Sequence, residues 1–305
     1  MKTDTPNVEE YYNQQDSLLN TLTYLASFGT YVFRGYNKQD NLLPLLIREK
    51  DYSGVEFELL NEFEKYGSHY FSADSPIDFI SYGQHYGLPT RLLDFTFNPF
   101  IALSFALFSK KSPGNYKEVE DRSYYYIRYC DIGEHIHLKG LPVFQGLSFG
   151  SYESDFISSR CRRILSEYST FLSKPISGVF QDYVKGLSAC AYNSDSDNGN
   201  TITQKIQGQK LCFIDPNQSN QRIIMQQGLF MLPYTLDPVV HQKIITNNTS
   251  VIKIHRDLRE SLLKYLDTLG FNTFRLMPDL SSICAAVTQR VKDSRAAKSE
   301  LFKKK

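Results

Sequence analysis

Hydrophobic and polar positions alternate with two different periods along this chain, and the changes of period mark its elements. From residue 8 to 28, Leu18, Leu19, Leu22, Leu25 and Phe28 recur at helical spacing, which predicts an opening amphipathic helix ended by Gly29. Tyr31-Val32-Phe33-Arg34-Gly35-Tyr36 reads as a strand with a glycine break and an arginine among aromatics. Over residues 52–66 the helical period returns in Val55, Leu59, Phe63 and Tyr66, with Glu56, Glu58, Glu62 and Glu64 on a solvated face. Ser75-Pro76 opens a short helix through Ile77, Phe79 and Ile80. In Gln84–Ala106 a polar, turn-rich half gives way to an apolar one. Leu92, Leu93 and Phe95 bracket Asp94, which places that acid in or beside a buried strand. Asn98-Pro99 reads as an N-cap followed by proline at the first helical position. Ile101, Ala102, Leu103, Phe105, Ala106 and Leu107 then predict a helix buried on most sides.

The later chain is more mixed. Residues 123–130 read as a strand, 152–172 as a helix, and Lys210 to Asp215 as a strand. Arg222 to Leu232 predicts a strand pair or a bulged strand, with Gln226 and Gln227 sending one amide to each face. Val251 to His255 is a strand. Arg256 to Leu269 is an amphipathic helix stopped by Gly270. Pro278-Asp279 opens a last helix with Leu280, Ile283, Cys284 and Val287. Helices early and late with strands between them predict an α+β fold, not an alternating βαβ array.

Composition adds bounds. The 305 residues allow one large domain or two small ones. A formal net charge of +1 neither demands nor excludes a nucleic-acid partner. The five cysteines are scattered and odd in number, which suits a reducing compartment and suggests neither a disulfide framework nor zinc. With no signal-peptide pattern at the start and no apolar run of membrane-span length, a cytoplasmic protein is expected, without membrane association.

Most common chemistries lack their motifs. There is no Walker loop, no dinucleotide GxGxxG and no HExxH. His135 and His137 alternate, a poor spacing for a helical metal pair, and no acid or cysteine partner stands out beside them. The acidic run at 193–200 lacks the terminal glutamate of a calcium loop, so no metal is expected. Arg160, Arg162 and Arg163 and the lysines of 298–305 read as solvated surface, with phosphate contact as the other possibility. The turn before the buried helix has two readings. Backbone N–H groups at a helix start suit an anion, while Arg91 and Asp94 could equally steady a structural corner.

Three separated pieces then resemble one family. Phe33-Arg34-Gly35, the run Gln84-His85-Tyr86-Gly87-Leu88-Pro89-Thr90-Arg91-Leu92-Leu93-Asp94 with Thr96, Asn98-Pro99 and Ala102, and Arg222 with Gln226, Gly228 and Phe230 are similar to the FRG domain, named for the first of them. Met277-Pro278-Asp279-Leu280 resembles its C-terminal element. The resemblance implies an N-terminal helix over 1–29, an FRG domain over 30–290 with an insert-like region at 131–208, and a basic tail over 291–305.

That family is similar in motif layout to the ADP-ribosyltransferases, which cleave NAD and pass ADP-ribose to an acceptor. The likeness implies an ADP-ribosyltransferase-like split β core with flanking helices. It implies NAD as the substrate-cofactor, held by Arg34, Gly35, Tyr36, Tyr86, Thr90, Arg91, Asp94 and Asn98. It implies a catalytic group of Arg34, Thr96, Gln226 and His85. Arg34 would hold the pyrophosphate, Tyr36 or Tyr86 would stack on a ring, Gln226 would bind the ribose hydroxyl, and His85 would handle the acceptor's proton. Asp94 stands where a hydroxyl is usual and Gln226 where an acid is usual. The expected setting is a toxin, held by an antitoxin or acting in anti-phage defence, whose acceptor is RNA or DNA ahead of protein. Two alternatives stay open: a non-catalytic nucleotide-sensing module, and an NAD-independent nuclease using His85, Arg91 and Asp94.

Overall fold

The computed structural model describes residues 8–37, 42–48, 55–67, 69–70, 76–108, 123–138, 211–216, 221–233 and 237–278, with single residues and short runs between 280 and 295. The helix expected at 152–172, the arginine cluster at 160–163, the acidic run at 193–200, Asp279 and the tail at 298–305 lie outside the described residues.

Among the described residues, eight strands form one sheet. They are β1 (Glu9–Tyr12), β2 (Tyr31–Tyr36), β3 (Leu93–Thr96), β4 (Tyr124–Asp131), β5 (Ile136–Leu138), β6 (Cys212–Ile214), β7 (Gly228–Leu232) and β8 (Ser250–His255). Their order across the sheet is β1-β8-β4-β2-β3-β7-β6-β5. The five central pairings are antiparallel, and the two edge pairings, β1 with β8 and β5 with β6, are parallel. Around the sheet lie α1 (Gln15–Ser27), α2 (Leu45–Arg48), α3 (Glu56–Gly67), α4 (Pro76–His85), α5 (Pro99–Leu107), α6 (Gln221–Met225), α7 (Pro238–Asn248), α8 (Arg259–Thr268) and α9 (Thr273–Leu276). The α+β expectation therefore holds at the level of class. Among the described residues, no helix is long and apolar enough to cross a membrane.

Strand alternation divides β2 between two cores. Val32 and Tyr36 face a cluster that includes Leu93, Phe95, Phe213, Ile244 and Ile245. Phe33 faces the opposite cluster, with Leu18 and Leu22 of α1, Ala102 and Leu103 of α5, and Leu262 and Leu266 of α8. The strand is thus buried on both sides.

Two expectations are corrected. Residues 9–12 are not the first turn of the opening helix but a strand, paired with Val251–Ile254. Helical periodicity resumes only at Gln15, because a partner some 240 residues away in sequence captures the preceding backbone. Residues 222–232 are not a strand pair. Gln226 N–H bonds the Arg222 carbonyl at 2.9 Å, closing a short helix, and Gln227 takes a positive φ of 45° before β7 begins at Gly228. Both glutamines therefore sit in a turn and neither projects from a strand face.

Candidate functional site

The apolar helix α5 sets the position of the site. Asn98 caps it as expected, its Oδ1 accepting from Phe100 N at 2.9 Å and Ile101 N at 3.4 Å, with Pro99 at the first helical position. The helix crosses β2 at Gly35. A Cβ built on Gly35 would lie 1.7 Å from the carbonyl oxygen of Ala102, so only glycine permits this crossing. The next residue toward the N-terminus, Arg34, projects from the other face of the sheet.

Arg34 donates from Nη1 to the carbonyl of Asp94 at 2.6 Å, which ties β2 to β3. Arg34 is half-buried. That burial pushes its pKa down to about 10, with Asp94 opposing the shift and Arg48 adding to it, so Arg34 still carries its charge at neutral pH. Asp94 is on β3 as expected, but its side chain is exposed, not enclosed.

The carboxylate of Asp94 accepts from Gln84 Nε2 at 2.7 Å. The other end of the same amide, Gln84 Oε1, accepts from the Thr90 hydroxyl. Thr90 is only 2% exposed. Its oxygen accepts from Leu92 N at 3.3 Å, and its carbonyl accepts from Leu46 N at 3.3 Å. Gln84 is thus the hub that folds the polar motif back on itself, with Gly87 at φ +98° making the turn. Arg91 is half-buried at the end of this turn.

A second group forms around Thr96, which is 4% exposed. Its hydroxyl donates to the carbonyl of Gln226 at 2.7 Å and accepts from Asn98 N at 3.1 Å. Phe97 N bonds the Gln227 carbonyl at 3.1 Å. The amide of Gln226 turns the other way, donating to the Leu276 carbonyl at 2.7 Å. A third group joins Arg222 Nη1 to the His85 carbonyl at 3.4 Å. Tyr86, 75% exposed, lies edge-on to His85 with ring centroids 4.7 Å apart. Tyr36 is buried and stacks on Tyr126 at 5.2 Å. Its burial raises the phenol pKa, and nearby Arg128 opposes that rise.

The three separated sequence pieces therefore meet pairwise: Arg34 with Asp94, Thr96 with Gln226, and His85 with Arg222. Residues 29–115 match the family model of the FRG domain. They are an FRG domain. No curated protein and no solved structure matches the chain. The FRG domain contributes β2 and β3 to the sheet, and β1 with β4 to β8 complete it outside the matched residues.

Sequence reasoning missed several partners. Gln84 was seen only as part of a polar run, and its role needs the fold of the turn. Arg128 was hidden in the strand of residues 123–130, although a charge alternating with Tyr124 and Tyr126 is a readable signal. No acid partner for His137 stands out in the sequence. In the structure its Nε2 lies 2.8 Å from Asp215 Oδ1, a partner supplied by the strand next to it. Among the described residues, no three metal-ligating side chains come together.

Proposed function

We propose that this chain is an ADP-ribosyltransferase that cleaves NAD and transfers ADP-ribose to a macromolecular acceptor. One observation carries the reading: Arg34, Asp94 with Thr96, and the Gln226 turn fall on β2, β3 and the entry to β7, which are consecutive neighbours in the sheet. The split-core assignment within the α+β class belongs to the same proposal. In this reading Arg34 holds the pyrophosphate through charge-assisted hydrogen bonds. Departure of nicotinamide leaves positive character on the ribose, which the enzyme must orient and stabilise. Thr96 fixes the backbone of Gln226, so that the turn presents its amide at a set height beside β3. His85 and the exposed Tyr86 stand on the acceptor side. A nucleic-acid acceptor and a cytoplasmic toxin or defence role complete the proposal.

A second reading, a nucleotide-binding module without turnover, is favoured by one contact. The Gln226 amide is engaged by the Leu276 carbonyl, and a glutamine cannot supply the negative charge of a carboxylate.

Incubation with NAD labelled in the adenylate, offering RNA, single-stranded DNA and protein separately, tests both. Label transferred to one acceptor, and lost in Arg34→Ala, is the expected result. Binding of NAD without release of nicotinamide under any acceptor supports the module, and unchanged turnover in Arg34→Ala removes the transferase reading.

A further inference from the structure

The register of β2 on β4 sets Arg34 directly opposite Arg128, with Tyr36 opposite Tyr126 one row on. Residues opposed in this way share a face, so two guanidinium groups occupy neighbouring positions at the centre of the sheet. Like charges directly opposite each other destabilise a strand pair. The Asp94 carboxylate acts on Arg34 as a counter-charge, and a third cation, Arg48 of α2, acts against it.

Arg128 is 7% exposed. Its Nη1 donates to the hydroxyl of Thr249 at 2.9 Å and to the Thr249 carbonyl at 3.3 Å, and the Tyr36 hydroxyl also bonds it. None of these groups is an acid. Its Nε is buried with no hydrogen-bond partner among the described residues. A buried donor without an acceptor costs free energy, as does a buried charge without a counter-charge. The arrangement is therefore expensive for the protein alone and becomes favourable when an anion is added. Tyr36, whose hydroxyl bonds Arg128, stacks on Tyr126 beside it.

We infer that Arg34 and Arg128 form a two-cation seat for a pyrophosphate group, with half-buried Arg34 as the outer contact and Arg128 as the inner charge. The inference rests on the reading above for the nucleotide that carries the group, but not for the anion itself. Arg128 acts here as a positioning charge: it holds the anion against β2 without reaching the reacting bond.

Calorimetric titration of the full chain with inorganic pyrophosphate tests the seat, with NAD, ADP and a single-stranded oligonucleotide as separate arms. Wild type should bind pyrophosphate with an affinity that falls as salt rises. Arg34→Gln and Arg128→Gln should each weaken it tenfold or more, while Arg128→Lys, which keeps the charge, should stay within about threefold. A wild type that does not bind pyrophosphate overturns the inference, and so does a folded Arg128→Gln that binds as wild type does. If Arg128→Gln fails to fold, Arg128→Lys decides: retained binding supports the seat, and a tenfold loss overturns it. Tighter binding of NAD or ADP than of the oligonucleotide supports a nucleotide pyrophosphate, whereas binding of the oligonucleotide alone overturns it. Pyrophosphate binding without NAD turnover keeps the seat and removes the transferase reading; turnover unaffected by Arg128→Gln does the reverse.

Discussion

His241 carries a single-residue cost that pH can reveal. It is 2% exposed, and its Nε2 bonds the Leu42 carbonyl at 3.2 Å. Burial lowers its pKa from 6.5 to about 4, the Leu42 bond opposes the shift, and the charge of Arg34 adds to it. The unfolded chain therefore binds the proton first as pH falls. Stability from this residue is complete above about pH 6.5, declines through the window down to about pH 4, and levels off below it. The full loss is on the order of 3 kcal/mol. Denaturant midpoints measured across that window should fall in wild type and fall distinctly less in His241→Gln, which cannot be protonated. Parallel curves would remove His241 as the cause. At this scale the sequence showed which residues were unusual and not what they touch. Gln84, Arg128 and Asp215 acquire meaning only through partners on other strands or across a turn.

Among the elements, the approach of α5 to β2 carries the heaviest constraint. The helix was legible in advance because its determinants are local: Asn98 and Pro99 fix its start, and a run that is apolar except for Ser104 favours burial on most sides. β1 was illegible because Glu9–Tyr12 has no apolar alternation of its own and depends on β8 for its hydrogen bonds. The α6–β7 boundary was misread for another reason. A short apolar run suits a strand or a helical turn equally well, and the positive φ of Gln227 decides between them. The crossing itself yields a test. In Gly35→Ala the new methyl meets backbone, not a side chain that can rotate away. Overpacking of that kind should cost more than about 3 kcal/mol. Thermal melting should show a large loss or no cooperative transition, and a melting point within about 2 °C of wild type would contradict the packing described.

For the whole molecule, chain order and sheet order are interleaved. The segment through β5 supplies β1, β4, β2, β3 and β5, and the segment from β6 onward supplies β8, β7 and β6. β8 lies between β1 and β4, while β7 and β6 lie between β3 and β5. Neither segment can complete its hydrogen bonding alone, since each leaves gaps that only the other fills. The two segments are therefore expected to associate when made as separate chains. Two polypeptides covering 1–210 and 211–305, made together in one cell, should co-purify as a noncovalent heterodimer with the strand content of the parent, whereas either one made alone should aggregate. Recovery of one piece as a folded monomer would contradict the interlacing. If the pair forms, the protein can be run as a split reporter: Arg34 and Gln226 arrive on separate chains, and a signal that needs both appears only when the two meet.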